Sequence, residues 1–596
     1  MSGLPAHASV VVIGGGVVGA ATARHLGTLG CRDAILLERA TIGSGTTWHA
    51  AGNMETWRAD PLIGEMVAYA VRLFPELERE TGVSFGWRQT GRIHFTADEH
   101  LMGAYRAGPA RARARGVEVQ CLSAGEIADR LPIISTDGLL GGLWTPNDGR
   151  VDPTNLAMAH ARGAAQHGVK LFEDVAVRAI CSSGGKVVAV ATDQGEVRCD
   201  AVVLAAGLWS TTLARTCGIR LPLMALHHFY LLTKPIDGLS RDLPLFLSYD
   251  ERIYGREDVG GLLMGVFDED AIPLEPDELP ERFSFSLLPE NWDQIQPNMP
   301  VVLNRFPVLE RAEIRMLVNG PESFTPDGEM LLGEHPELQG LHLATGMNSN
   351  GIALASGVGL LTAERLVHGR SSLDTTRLRV DRFAPFQSGD RYRRVRMSEI
   401  PTWFCKAHGP GGDFVASRDI RRSPFHHRHL AQGAVLRTVV GLERPAFFEA
   451  SAPGGTAGEQ VAAELAMADS AAWSDRSGDT ILWLEGVDAA ELLRQLTAAN
   501  GVTEPGRATV APFLNEEGGI EALPIVLALG PDRFALLAGP EEGVGLERWI
   551  RRHLNGARVA LVDVGAAYAM LDLFGVRVPE LLAAWADRPV EVVPAW

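Results

Sequence analysis

The sequence contains no apolar run approaching the roughly 18 residues needed to cross a bilayer, and its start lacks the charged region and small-residue cleavage site of a secretory leader. Membrane insertion and export are therefore not expected, and a cytoplasmic location is. Basic residues are in deficit: 55 Lys and Arg stand against 73 Asp and Glu, a formal net charge of −18. That balance repels a phosphate backbone, and no Lys/Arg stripe reverses it locally, so nucleic acid is not an expected partner. Cysteines are few. Cys31, Cys121, Cys181, Cys199, Cys217 and Cys405 form no CxxC pair and have no His at metal-ligand spacing, so reduced thiols and no metal site are expected. No internal repeat is visible.

What is present is an ordinary globular composition, 46% hydrophobic and 21% charged. A chain of 596 residues exceeds the roughly 250–300 residues at which a single core stops growing, so two or three domains are expected. Short β-branched runs at residues 10–13, 34–37, 187–191 and 201–204 alternate with helical patterns, which predicts an α/β class with antiparallel insertions. Residues 233–304 carry many Pro, Asp and Glu between short apolar runs such as 261–266, and read as a sheet-rich cap within about 220–320. Residues 371–443 turn Arg-rich and Pro-punctuated, with Arg391, Arg393, Arg394, Arg396, Arg418, Arg421 and Arg422 expected on a solvated or interdomain face. The predicted division is 1–372, a connecting segment 373–443, and a further unit 444–596 with a flexible Gly/Ala/Ser loop at 451–458.

The buried-strand run 10–13 leads directly into Gly14, Gly16 and Gly19, the GxGxxG spacing, and then into a helical pattern over 20–29. The glycines permit a tight turn, close approach of a pyrophosphate and helix–strand packing, and the helix start faces the phosphate charge. A second strand, 34–37, ends in Glu38, able to accept both hydroxyls of an adenosine ribose. These residues predict a dinucleotide fold and leave FAD and NAD open. Residues 200–207, DAVVLAAG, read as a strand closing a second cofactor contact at Gly207. Residues 340–351, GLHLATGMNSNG, precede a small-residue helix over 352–366, so that Gly346, Met347, Asn348, Gly351 and Ile352 bring a helix start to the negative end of a reduced flavin ring.

Residues 43–52, GSGTTWHAAG, resemble the dimethylglycine and sarcosine dehydrogenase family of D-amino-acid-oxidase-like flavoproteins. The resemblance continues through GPESFTPDG (320–328), ATGMNSNG (344–351), RRSPF and GLERPAFF, nearly the whole chain. It implies FAD bonded covalently through its 8-methyl carbon to His49, with Arg39, Ser44, Thr46 and Thr47 also on the cofactor. It implies a Rossmann-like FAD-binding domain with an antiparallel-sheet substrate cap, followed by α+β connecting and T-protein-like domains. HFY at 228–230 and YGRE at 254–257 match the family's substrate side, which places His228 and Tyr254 over the flavin; Arg256 is the candidate cation for a substrate carboxylate. The implied reaction oxidises the C–N bond of a small N-methylated amino acid, and the iminium hydrolyses to formaldehyde and the demethylated amine. Two alternatives stay open: oxidation of an unmethylated secondary or cyclic amino acid, and a flavin-bearing or folate-like binding protein without catalysis. Oxygen or a carrier protein as electron acceptor, and homo-oligomer formation, also stay open.

From about residue 480 the chain resembles the first half of the folate-binding T-protein module of the glycine cleavage system, in LEGVDAAELLRQLTAAN and LNEEGGIEALPIV. Two departures predict weak or no tetrahydrofolate binding. The sequence reaches only to Trp596, short of a full module, and Leu523 stands where the family carries a pterin-holding Asp. Asn53, Met54, Glu55 and Thr56 replace small apolar residues after WHAAG, which leaves open a substrate that differs from dimethylglycine or sarcosine. Residues 401–413 also lack the family's aromatic sequence.

Overall fold

The structure, a computed structural model, describes residues 3–403, 405 and 413–585. Trp596 and most of the 401–413 segment lie outside the described residues. The chain forms two compact units, Met1–Val380 with Pro385–Lys406, and Asp381–Ala384 with Ala407–Trp596.

The first unit is built on two sheets. One carries the strands Leu331–Glu334, Leu341–Thr345, Gly195–Leu204, His7–Ile13, Ile35–Leu37 and Lys170–Phe172 in that spatial order, parallel from Leu341–Thr345 onward. Val11, Val12, Leu36, Val202, Val203 and Leu204 are all fully buried, which is why these strands read as unbroken apolar runs. Helices Val17–Thr28, Pro61–Thr81, Pro153–Gln166 and Gly351–His368 supply the covering layers. Small residues let them approach closely: a Cβ on Gly359 would lie 2.6 Å from the Ala21 carbonyl carbon.

The second sheet has nine strands, ordered Pro273–Leu274, Met224–Thr233, Gly261–Val266, Ile253–Asp258, Leu245–Ser248, Arg92–Thr96, Gly141–Thr145 and Gln120–Leu122, with Ile314–Phe324 also paired to Met224–Thr233. It is antiparallel except where Leu245–Ser248 meets Arg92–Thr96. The sheet is therefore wider than the 220–320 segment. Three of its strands come from residues 92–145, and Ile93 and Phe95 join the core of Phe229, Phe246 and Phe306 behind it.

Arg393, on the face expected to be solvated or interdomain, turns inward toward residues of the 1–372 segment. Its side chain is buried, donating to the Leu223 carbonyl at 2.7 Å and pairing with Glu275 at 3.0 Å and Asp390 at 2.7 Å. A guanidinium tolerates burial only when acceptors replace its water, and here three do.

The second unit contains an antiparallel five-stranded sheet, ordered Ala508–Val510, Ile525–Ala528, Arg533–Ala538, Thr480–Glu485 and Ala560–Asp563. Helices Ala489–Leu496 and Gly543–Arg552 turn Leu492, Leu493, Leu496, Leu546 and Ile550 into its core. Leu523 lies beyond the Ile520–Ala522 strand with its side chain half exposed. Among the described residues no helix is long and apolar enough to cross a membrane, and no cluster of His, Cys, Asp and Glu forms a metal site.

Candidate active site

The cofactor end begins at the turn between the His7–Ile13 strand and the Val17–Thr28 helix. Gly14 has φ +108°, and a Cβ there would lie 2.6 Å from the Ala205 carbonyl oxygen; one on Gly19 would lie 1.9 Å from the Gly14 oxygen. Only glycine fits either place. Gly16 caps the helix without a side-chain acceptor, and the buried Thr47 hydroxyl takes that part by accepting the Val17 N–H at 3.1 Å. Glu38 accepts the Gly15 N–H at 2.6 Å and the Ala40 N–H at 2.9 Å, and burial pushes its carboxyl up. Each carboxylate oxygen keeps a further lone pair for a hydroxyl. Arg39 stacks 3.8 Å over Trp209 and donates to the Phe283 carbonyl, and the buried Ser44 accepts the Phe285 N–H on its carbonyl. Thr46 is half-buried in the same loop.

His49 follows in that loop, nearly fully buried, and packs against the second sheet where the strand Ile314–Phe324 carries Gly320. A Cβ on Gly320 would lie 2.4 Å from both Nδ1 and Cε1 of the ring, so the missing side chain is what admits the imidazole. Tyr230 fixes the loop by donating to the His49 carbonyl at 2.8 Å. Burial pushes the imidazole pKa down to about 4, against the nearby charge of Glu322. His49 Nε2 is buried without a hydrogen-bond partner. A neutral, unpaired ring nitrogen beside a glycine-lined phosphate turn fits the residues of a flavin site.

Strand register brings the substrate-side residues onto that face. His228 is opposite Gly320, Tyr230 opposite Val318 and Gly265, and Tyr254 opposite Gly265. Gly265 leaves a gap in the middle of the sheet, and the Tyr254 ring lies across it, since a Cβ there would be 1.9 Å from Tyr254 Cζ. The phenol thereby reaches His228 Nε2 at 3.0 Å, the two rings parallel within 4°. Phe267 closes the group, 5.3 Å from Tyr254 and 6.1 Å from His228 between centroids. Burial pushes the Tyr254 hydroxyl well above the usual phenol range. It also pushes the buried Asp268 carboxyl up to about 6, with His228 acting the other way.

Arg256, the candidate cation for a substrate carboxylate, makes hydrogen bonds within the chain. Its Nε donates to the Ala51 carbonyl at 2.8 Å, and Nη1 to the Glu257 carbonyl and Asp258. The guanidinium thus holds the chain just after His49, with Asp258 already meeting its charge.

At the other end, Gly346, Asn348 and Ser349 all have positive φ, at +68°, +48° and +59°. Asn348 stabilises this bend by donating to the Gly346 carbonyl at 2.6 Å and accepting the Thr325 N–H at 2.9 Å. Met347 packs against the first unit's core. The helix Gly351–His368 then starts with no side-chain cap, so the N–H groups of Gly351 and Ile352 have no side-chain acceptor. Gly207, φ +54°, borders the same region, its carbonyl accepting from Thr345 at 3.0 Å.

A buried ion cluster, unread from the sequence, sits beside this helix start. Glu55 pairs with Arg58, Arg92 and His94, each at 2.9 Å; Arg92 also faces Asp148 at 3.5 Å, and Arg58 donates to Asn350 Oδ1 at 2.7 Å. Burial would raise the Glu55 carboxyl, but Arg58, Arg92 and His94 together hold it well below the usual carboxylate range. The available signal was Glu55, an acid among the residues that replace small apolar ones after WHAAG. Gly265, Gly320 and Glu322 were also missed; glycines interior to strands mark a close approach of another group.

The profile of the FAD dependent oxidoreductase family matches residues 9–365, and that of the GCVT N-terminal domain residues 425–592. A 4-methylaminobutanoate oxidase (formaldehyde-forming) of Paenarthrobacter nicotinovorans is 31% identical over 98% of this chain and 73% of its own length. The mitochondrial sarcosine dehydrogenase of Homo sapiens is 33% identical over 91% of this chain and 63% of its own. Among solved structures, glycine oxidase from Geobacillus kaustophilus superposes with a TM-score of 0.54 at 26% identity, covering 63% of this chain and 99% of that one. The two-sheet architecture, the glycine turn and the matched profile agree: the chain belongs to the FAD dependent oxidoreductase family and carries a GCVT domain after it.

Proposed function

We propose that this protein oxidises the C–N bond of a small N-methylated amino acid, releasing formaldehyde and the demethylated amine. The observation that carries the reading is the sheet face on which His228 and Tyr254, 3.0 Å apart, stand beside Gly320 and the His49 ring packed against it. The names of the relatives, a formaldehyde-forming methylaminobutanoate oxidase and a sarcosine dehydrogenase, support it. Gly14, Gly16, Gly19, Glu38, Arg39, Ser44, Thr46, Thr47, Gly207, Gly346, Met347, Asn348, Gly351 and Ile352 would hold FAD, with a covalent bond to His49. When bound, FAD supplies the hydride acceptor.

The chain's own residues prepare the substrate. Hydride loss needs the amine as a neutral lone pair, and His228 takes the ammonium proton, oriented by the Tyr254 hydroxyl. Phe267 and the buried strand face keep water from the reacting carbon. Arg256 fixes the Ala51 carbonyl and so the loop that positions His49. The GCVT domain binds tetrahydrofolate weakly or not at all, because Leu523 offers a pterin no carboxylate; calorimetry that finds micromolar binding would overturn this.

Anaerobic mixing of the holoenzyme with a panel of N-methyl amino acids tests the reading: at least one should bleach the flavin, with formaldehyde appearing in equal amount. Bleaching only by unmethylated secondary amino acids, without formaldehyde, refutes it. Acid precipitation tests the covalent bond, since the wild-type pellet should be yellow and that of His49→Ala colourless. Peroxide formed per turnover separates oxygen from a carrier protein as acceptor.

A further inference from the structure

Glu322 lies on the face just described, and neither the reading above nor the sequence motifs give it a task. In the register of the Ile314–Phe324 and Met224–Thr233 strands it is opposite Leu226, one pleat along from Gly320 and His228. It therefore shares their side of the sheet, displaced by about 7 Å along the strand. Ser349, two residues before the Gly351–His368 helix, donates to one of its carboxylate oxygens. Glu322 thus stands between the His49 end of the site and the helix start.

Its electrostatic surroundings are unusual for this protein. Of the neighbouring acids, Glu257 is matched by Arg150, Asp258 by Arg256 and Arg315, and Glu55 by Arg58 and Arg92, while the buried Asp268 has its carboxyl raised. Glu322 has no Arg, Lys or His within ion-pair distance among the described residues, although it is only partly exposed. Its charge instead acts on His49, Tyr230 and Tyr254. An unpaired carboxylate one pleat from His228, whose ring neighbours Tyr254 and Phe267, brings a counter-charge near aromatic rings, the composition that recognises an alkylated ammonium.

We infer that Glu322 is a substrate-binding residue that takes the ammonium group of the amine as a cation, setting it beside His228 before the proton leaves. The inference rests on the proposed function and narrows its substrate class to amines that arrive protonated. It also gives His228 a defined job, because an ammonium held by Glu322 cannot donate a hydride until a base removes its proton.

Two probes that cannot be oxidised test the assignment on the flavin-loaded enzyme. Trimethylglycine carries a permanent cationic head and no lone pair; 3,3-dimethylbutanoate is its carbon isostere with the charge removed. Dissociation constants are read from the flavin absorbance change and from calorimetry. Wild type should prefer trimethylglycine by about tenfold or more, and Glu322→Gln should bind the two within about twofold while keeping its flavin spectrum and melting midpoint. A preference that survives in Glu322→Gln overturns the inference, and so does a wild type with no preference, which decides the matter even if the variant fails to load flavin. Bleaching by N-methyl amino acids is measured on the same preparation. An enzyme that is bleached yet shows equal affinities loses only the Glu322 assignment, whereas one bleached by none loses the proposed function beneath it.

Discussion

Replacing Gly320 by Ala tests the packing on which the His49 assignment depends. The new methyl would lie 2.4 Å from Nδ1 and Cε1 of the ring, against an ordinary separation of about 3.5–4.0 Å, so the imidazole must retreat by about 1 Å or more. It has little room to do so. Tyr230 holds the His49 carbonyl at 2.8 Å, the Trp48 ring stands edge-on at 5.8 Å, and the residue is only 4% exposed. Overpacking of this kind costs about 1–3 kcal/mol. In a unit of about 400 residues each kcal/mol lowers the melting midpoint by about 1 °C, so a fall of about 1–4 °C is expected. A reacting nitrogen misplaced by about 1 Å loses about 100-fold in rate, so covalent attachment should lag far behind flavin binding. The assay compares acid-precipitable with total flavin in wild type and Gly320→Ala, alongside thermal unfolding. Full covalent flavin at an unchanged midpoint would show that His49 does not pack on this strand, and the site geometry would have to be abandoned.

Three further outcomes follow from the same geometry. Glu55→Gln strands Arg58, Arg92 and His94 and should cost about 3–5 kcal/mol at neutral pH by urea unfolding. Because the native carboxyl is held below its usual range, the stabilisation is present above about pH 4.5 and is lost on acidification, so the gap to wild type should close as pH falls. Asp268 runs the other way. With its carboxyl raised to about 6, wild type loses stability between about pH 4 and pH 6, and Asp268→Asn should be the more stable protein above that window by about 3 kcal/mol and roughly equal below it. A constant difference across pH would contradict the burial of Asp268. Thr47→Ala removes the acceptor of the Val17 N–H at a helix start that lacks any other side-chain cap, and should lower stability by about 1–2 kcal/mol in the same measurement.

The dinucleotide turn is legible in the sequence because several local rules coincide there: an apolar run buried on both faces, glycines at positions no other residue can occupy, and a helix that starts at once. The helix Gly351–His368 is legible for the same reason. The second sheet is harder to read. Arg92–Thr96, RIHFT, carries no alternation, because all five residues are buried and Arg92 and His94 are matched by Glu55 from elsewhere in the chain. Arg393 is hard to place for the same reason, its acceptors Leu223 and Glu275 being more than a hundred residues away. Arg256 sits in a recognisable motif, yet which carboxylate it meets depends on Asp258 two residues on. Tyr254 and His228 are named by pattern, but their contact needs the gap at Gly265, which only the register of three strands reveals.

The parallel pairing of Arg92–Thr96 with Leu245–Ser248 also sets a timetable. The two strands are separated by roughly 150 residues, and at about 5–20 residues per second the ribosome delivers the second some 8–30 s after the first. During that interval Ile93 and Phe95 have no Phe246 to cover them, and one edge of the Arg92–Thr96 strand is open. Nascent chains stalled between residues 145 and 245 should therefore be the aggregation-prone species and the ones chaperones hold.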